Sequence, residues 1–195
     1  DGMISGNFIE MDDRSVSNII QKGGTVLKSA RSEEFRTKEG RAKAYENIKK
    51  HNIDGLVVIG GNGTFTGAGL FYDEHKIPCV GAPGTIDNDL FGTDYTIGYD
   101  TAVNTCLAAI DKIRDTADAH ERCFFIEVMG RDTGYIAVRS AIAGGAEMAI
   151  LPEVNTDVED IIKRLKYGTS ESKASHIIIV AEGDKVGRAS DIAKE

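Results

Sequence analysis

The 195 residues carry a formal net charge of −8, with 41% hydrophobic residues and 22 glycines. This is the make-up of an α/β protein long enough for one substantial core or one and a half small ones. The charge argues against a general nucleic-acid surface, since backbone phosphates are met by clustered Lys and Arg. A small phosphorylated ligand, needing only a few arginines and backbone N–H groups, remains compatible with it.

No run approaches the roughly 18 apolar residues of a membrane span. No basic-then-apolar signal segment opens the chain, so no membrane partner is expected. Cys79, Cys106 and Cys123 lie in apolar segments without metal-ligand spacing, and read as small core residues in a reducing cytoplasm. The chain opens on Asp1, and 190–195 reads as the first turn of a helix with a Ser or Asp cap. Both ends are therefore expected to continue in a longer polypeptide.

In chain order, Arg14 to Gln21 reads as helical and Thr25-Val26-Leu27 as a short strand. Thr37 to Lys50 has helical spacing with charges on one face. Leu56-Val57-Val58-Ile59 is wholly apolar, which predicts a strand covered on both sides. A helix is expected over Gly63 to Tyr72 and a strand over Pro78 to Ala82. Asp100 to Ala117 is a long amphipathic helix burying Ala102, Val103, Leu107, Ile110 and Ile113. Cys123 to Val128 returns as a strand, Thr133 to Ala143 as a helix and Met148 to Leu151 as a strand. Val158 to Tyr167 follows as a helix and Ile177 to Ala181 as the last apolar strand. Short apolar runs alternating with amphipathic stretches predict βαβ units and an open, doubly wound, mostly parallel sheet of Rossmann-like type.

In such sheets, ligands bind beyond the carboxyl ends of the strands, and the polar motifs fall there. Gly60-Gly61-Asn62-Gly63-Thr64 lies between a strand and a helix, where glycines admit a ligand close to the backbone and the helix N-terminus offers N–H groups to phosphate. It is neither a spaced dinucleotide fingerprint nor a Walker loop, and a plain tight turn with Asn62 left-handed accounts for it too. Pro83-Gly84 is expected to end the next strand and aim Thr85, Asp87 and Asp89 the same way, two residues apart. An Asx-rich surface turn is the alternative. Arg131, after the Cys123 to Val128 strand, could clamp an anion or be a solvated arginine. Glu182 ends the last strand, where a carboxylate could accept hydrogen bonds from sugar hydroxyls. No Ser-His-Asp or Cys-His arrangement is present. A base, a cation and N–H donors on one sheet edge suit phosphoryl transfer to a hydroxyl.

These motifs resemble those of the phosphofructokinase family in order and spacing. They are joined by 96–102 (Thr-Ile-Gly-Tyr-Asp-Thr-Ala) and 143–147 (Ala-Gly-Gly-Ala-Glu), and the similarity runs along nearly all of the chain. The resemblance implies transfer of the γ-phosphoryl of ATP to the 1-hydroxyl of fructose 6-phosphate in glycolysis, with Mg²⁺, in the cytoplasm. It implies Asp87 as the base, Thr85 at the transferring phosphoryl group, Asp89 supporting Asp87 and Mg²⁺, and Arg131 steadying the transition state. Met129, Gly130 and Glu182 match sugar-binding positions, and Arg122 an arginine reaching a neighbouring subunit's 6-phosphate. Arg31, Arg36, Gly61, Asn62, Gly63 and Thr64 match the nucleotide site.

Arg114, Glu147 and Lys173 match an effector site between subunits, which implies a homotetramer. Glycine at 63 and 84 matches the ATP-dependent members, whereas pyrophosphate-dependent ones carry Asp and Lys. Asn62 stands where the family usually has the Asp that handles Mg²⁺, keeping an oxygen ligand without its charge. The domains expected are 1–125 for nucleotide, lacking its first strand and loop, and 126–195, the start of a sugar-phosphate domain cut at its C-terminus. A pyrophosphate-dependent enzyme and a non-catalytic paralogue that binds nucleotide or sugar phosphate are the alternatives.

Overall fold

The computed structural model of the chain describes residues 1–120, 122–170, 175–185 and 187–194. The chain divides into two compact units, Asp1–Ala82 and Pro83–Glu195. The division expected after residue 125 would fall inside a strand.

In the first unit, a one-turn helix α1 (Gly2–Ser5) precedes a long irregular stretch and a 3₁₀ turn at Glu34–Arg36. Helix α2 (Lys38–Lys50) starts where the Thr37 hydroxyl accepts the Gly40 N–H at 3.0 Å. Strand β1 (Leu56–Gly60), helix α3 (Asn62–His75) and strand β2 (Cys79–Thr85) follow. The core gathers Ala44, Ile48 and Phe71, with Met3, Phe8, Phe35 and Leu56 against them. Arg41 ties α2 to α3, its Nε and Nη2 each donating to Glu74 at 2.7 Å. Its Nη1 reaches the Phe35 and Arg36 carbonyls at 3.0 and 2.8 Å. This two-pronged contact holds the Glu74 carboxyl below the usual carboxylate range.

Three expectations fail in this unit. Arg14 to Gln21 forms turns rather than a helix, because Asn18 is left-handed at φ 57° and Ile20 packs on nothing, being 90% exposed. Thr25 to Leu27 is not a strand: no neighbour pairs with it, and Val26 and Leu27 are exposed. β1 forms as expected but is covered on one face only, with Val57 73% and Ile59 57% exposed.

β2 crosses from the first unit into the second. It runs through Pro83 and Gly84 instead of breaking there, and its last residues pair in parallel with β3 (Ile97–Gly98), Gly84 opposite Ile97 and Thr85 opposite Gly98. Pro83 precedes those pairs, so that short ladder lacks no donor.

The second unit continues with α4 (Tyr99–His120), β4 (Cys123–Val128), α5 (Tyr135–Ala143), β5 (Met148–Ile150), α6 (Val158–Ser170), β6 (His176–Ala181) and α7 (Ala189–Ile192). Its strands run β4-β6-β5, with β6 parallel to both neighbours. Every residue of β6 is buried. Ile177, Ile179 and Ala181 pack toward Val103, Ile110, Ile136 and Ala137 of α4 and α5. Ile178 and Val180 pack toward Ile161, Ala189 and Ile192 of α6 and α7. This central strand is the doubly wound sheet expected, with helices on both faces. Cys123 is exposed rather than core, since it opens β4 at the rim of the sheet. The final helix starts at Ala189, after Arg188, so Ser190 and Asp191 lie inside it rather than capping it. No helix among the described residues is long and apolar enough to cross a membrane.

Candidate active site

The second unit gathers its polar motifs at the carboxyl ends of its strands. Thr85 ends β2, and the Asp87 N–H donates to its hydroxyl oxygen at 3.3 Å. Asp87, Asn88 and Asp89 do not continue as a strand, because Asn88 is left-handed at φ 54°. A short, polar side chain tolerates that conformation. Same-face alternation therefore does not align the carboxylates; a turn does.

The Asp87 side chain is 13% exposed, and Arg131 Nε approaches its Oδ2 at 3.9 Å. Burial pushes the Asp87 carboxyl above the usual carboxylate range, and Asp89 and Glu182 push it the same way. Arg131 and the Thr85 hydroxyl pull it back. The first cause is desolvation and the second a like charge.

Arg131 follows β4 in an unusual backbone state. It is itself left-handed, φ 54°, after Gly130 at φ 148°. A Cβ on Gly130 would lie 2.6 Å from the Thr133 carbonyl oxygen, so glycine is required. Glu182, at the end of β6, holds the turn: its Oε1 accepts the Gly130 N–H at 3.2 Å and the Arg131 N–H at 2.7 Å. Gly183 lets that segment approach, since a Cβ there would fall 2.0 Å from the Arg131 carbonyl oxygen. Strain of this kind persists only where the surroundings over-determine it. Met129, at the same strand end, is 60% exposed.

Three residues of this site escape sequence reading. The Thr133 hydroxyl sits within donating distance of the Asp87 carbonyl (3.1 Å) and the Gly130 carbonyl (2.9 Å), joining the two loops. Asn88 ties its own turn to Asp94 and Thr96. Glu153, beyond β5, accepts the Gly134 N–H ahead of α5 at 2.8 Å. Glu153 carried one available signal, as a carboxylate just past a strand end. Thr133 carried none, because its partner lies 46 residues away.

Other expected residues are not brought to this cluster. Arg122 precedes β4, at the amino edge of the sheet, and is exposed. Glu147 also sits at that edge, its Oε2 accepting the Ile177 N–H at 2.6 Å. Arg114 Nη2 donates to the Gly144 carbonyl. Lys173 lies outside the described residues.

Arg31, Arg36 and the Gly60–Thr64 turn belong to the first unit. Arg31 is exposed in irregular chain, and Arg36 pairs with Glu33 at 3.6 Å on the surface. In the turn, Gly61 caps α3 and Asn62 is its first residue rather than a left-handed turn residue. Gly60 is forced by Thr64, whose Oγ1 would be 2.3 Å from a Cβ. At Gly63 a Cβ would meet nothing, so packing does not demand glycine there. The N–H groups opening α3 form an anion-attracting helix end.

Helix-covered parallel strands, with Asp87, Glu182 and Arg131 gathered beyond their carboxyl ends, define an open α/β protein of the doubly wound class. More particularly, the chain belongs to the phosphofructokinase family, whose model matches residues 1–195. It is 78% identical over 195 residues to the ATP-dependent 6-phosphofructokinase of Cytophaga hutchinsonii, covering 100% of this chain and 60% of that protein. It is 56% identical over 193 residues to ATP-dependent 6-phosphofructokinase 2 of Bacteroides thetaiotaomicron, covering 99% and 59%. The phosphofructokinase structure from Saccharomyces cerevisiae superposes with a TM-score of 0.90 at 34% identity, covering 99% of this chain and 30% of that one. The chain thus spans about three-fifths of the length of the curated relatives it matches.

Proposed function

We propose that the full-length protein is an ATP-dependent 6-phosphofructokinase, and that this chain supplies the residues of its reacting centre. The observation that carries the reading is the half-buried Asp87 carboxylate with Asp89 beside it and Arg131 Nε at 3.9 Å. Asp87 accepts the proton of the 1-hydroxyl of fructose 6-phosphate as that oxygen attacks the γ-phosphorus, while the bond from the γ-phosphorus to the bridging oxygen breaks and ADP leaves with that electron pair. Its raised proton affinity suits a general base. Arg131 balances charge on the phosphoryl oxygens, and Thr85 offers its hydroxyl to the same group. Met129, Gly130 and Glu182 face the sugar, with Glu182 also holding the Arg131 turn. The Gly60–Thr64 turn takes the nucleotide phosphates together with Arg31 and Arg36, and the open space at Gly63 favours ATP over a smaller donor.

Mg²⁺ fits the donor set, because Asp89, raising the proton affinity of Asp87, is an anionic oxygen ligand that a hard cation would neutralise. Among the described residues no three His, Cys, Asp or Glu side chains converge as a cation site. That accords with a metal held by one or two carboxylates plus phosphate and water. Asp89 would hold the ion, which when bound withdraws charge from the donor phosphates. Arg122, on the amino edge, would serve a neighbouring subunit of a homotetramer, and Arg114, Glu147 and Lys173 an effector there. Three cysteines with no disulfide accord with a cytoplasmic location.

The full-length protein should consume ATP in the presence of fructose 6-phosphate and Mg²⁺, and should not turn over when pyrophosphate replaces ATP. Asp87→Asn should lower kcat by roughly 10²- to 10⁴-fold, the usual worth of a general base. A kcat left within about ten-fold of the original by Asp87→Asn, or a protein that binds fructose 6-phosphate without turning it over, would overturn the reading.

A further inference from the structure

We propose that Asn88 is a positioning residue: its side chain locks the turn that sets Asp87 relative to Asp89, so that Asp87 meets the attacking hydroxyl in one geometry. The role rests on the reaction proposed above.

Asn88 stands between the two carboxylates in a left-handed backbone state. That conformation turns the chain out of β2 and leaves Asp87 and Asp89 without a strand ladder to hold them. The side chain supplies what the ladder does not. Its Oδ1 accepts the Thr96 N–H at 2.8 Å and the Thr96 hydroxyl at 3.2 Å, while Nδ2 donates to the Asp94 carbonyl at 3.2 Å.

Thr96 is a firm anchor. It is 5% exposed and adjoins β3, whose Ile97 and Gly98 pair with Gly84 and Thr85 just ahead of Asp87. The turn is therefore tied to the sheet twice, once through its own strand and once across the loop through Asn88. The loop itself buries little: Leu90 is buried, whereas Phe91, Asp94 and Tyr95 are exposed. The Thr133 hydroxyl also reaches the Asp87 carbonyl. Asn88 and Thr133 both tie the segment to residues outside it, and only Asn88 belongs to the turn between the carboxylates.

A side chain that fixes the base should affect the chemical step more than substrate binding, since displacement of a reacting group by about 1 Å costs on the order of 100-fold. Asn88→Gly keeps the left-handed backbone accessible and removes only the amide. In the full-length protein it should lower kcat about 10- to 100-fold, with both KM values within about two-fold of the original. Thr96→Val keeps the Thr96 N–H and deletes one of the three bonds, so its loss should be smaller and in the same parameter.

A purely structural role would lower the unfolding midpoint and leave kcat per folded molecule intact; that result for Asn88→Gly, or a loss confined to KM, overturns the proposal. Should Asn88→Gly not fold, Thr96→Val decides, an unchanged kcat counting against the proposal and a reduced one for it. No turnover by the unsubstituted full-length protein would instead strike down the proposed reaction, and this role with it.

Discussion

β1 and β6 are both built on continuous apolar runs, residues 56–59 and 177–181, yet the two units treat them differently. β6 is buried at all six positions, because α4 and α5 cover one face and α6 and α7 the other. β1 alternates, with Leu56 turned to the core of the first unit and Val57 and Ile59 exposed. Val80 of β2 is 68% exposed as well. An apolar run thus specifies a strand, but whether both its faces are covered depends on which helices the rest of the fold brings to them. The same contrast separates the polar motifs: the second unit concentrates its carboxylates and Arg131 around strand ends held by many cross-links, whereas the glycine turn of the first unit keeps an open position at Gly63.

Substitutions can break or sharpen that contrast. The largest effect should come from Ile178→Ala, which leaves a cavity in a strand packed on both faces and should cost roughly 2 to 5 kcal/mol of stability. Chemical denaturation of the second unit's transition checks it, and a loss below that range would mean that the α6/α7 face of β6 is looser than its complete burial indicates.

The next effect is one of pH rather than stability. A base works deprotonated, so activity is lost as pH falls through its pKa, and burial with Asp89 holds that of Asp87 high. Asp89→Asn removes a group that raises it and should move the acid limb of kcat/KM to lower pH, whereas Arg131→Met removes one that lowers it and should move the limb to higher pH. Shifts in the same direction for both variants would mean that another group sets the limb.

The smallest effect belongs to the open face of β1: Val57→Thr should change stability by no more than about 0.5 kcal/mol, the usual range for an exposed site. A larger loss on thermal unfolding of the full-length protein would show that face to be covered there.

The chain itself made much of this legible. β4 was readable to the residue, and α2, α3, α5, α6 and β6 nearly so, because buried helices and strands print their periodicity directly on the sequence. The strand-end positions of Thr85, Asp87, Arg131 and Glu182 followed from the alternation of strands and helices. The failures share a cause. Arg14 to Gln21 and Thr25 to Leu27 have the composition of regular elements but nothing to pack on, and propensity without burial does not hold a helix or strand.

What sequence alone determined here is the local: which segments are helix or strand, and which polar residues stand at strand ends. Tertiary structure decided the rest. It set the left-handed turns at Asn88 and Arg131, the Glu182 carboxylate holding Gly130 and Arg131 from 52 and 51 residues away, and Thr133 joining two loops. It also placed Arg122 and Glu147 on the opposite edge from Asp87. The physical reason is one of range. Hydrophobic periodicity is read from neighbours three or four residues apart, whereas the field around Asp87 is made by groups that only the folded sheet brings together.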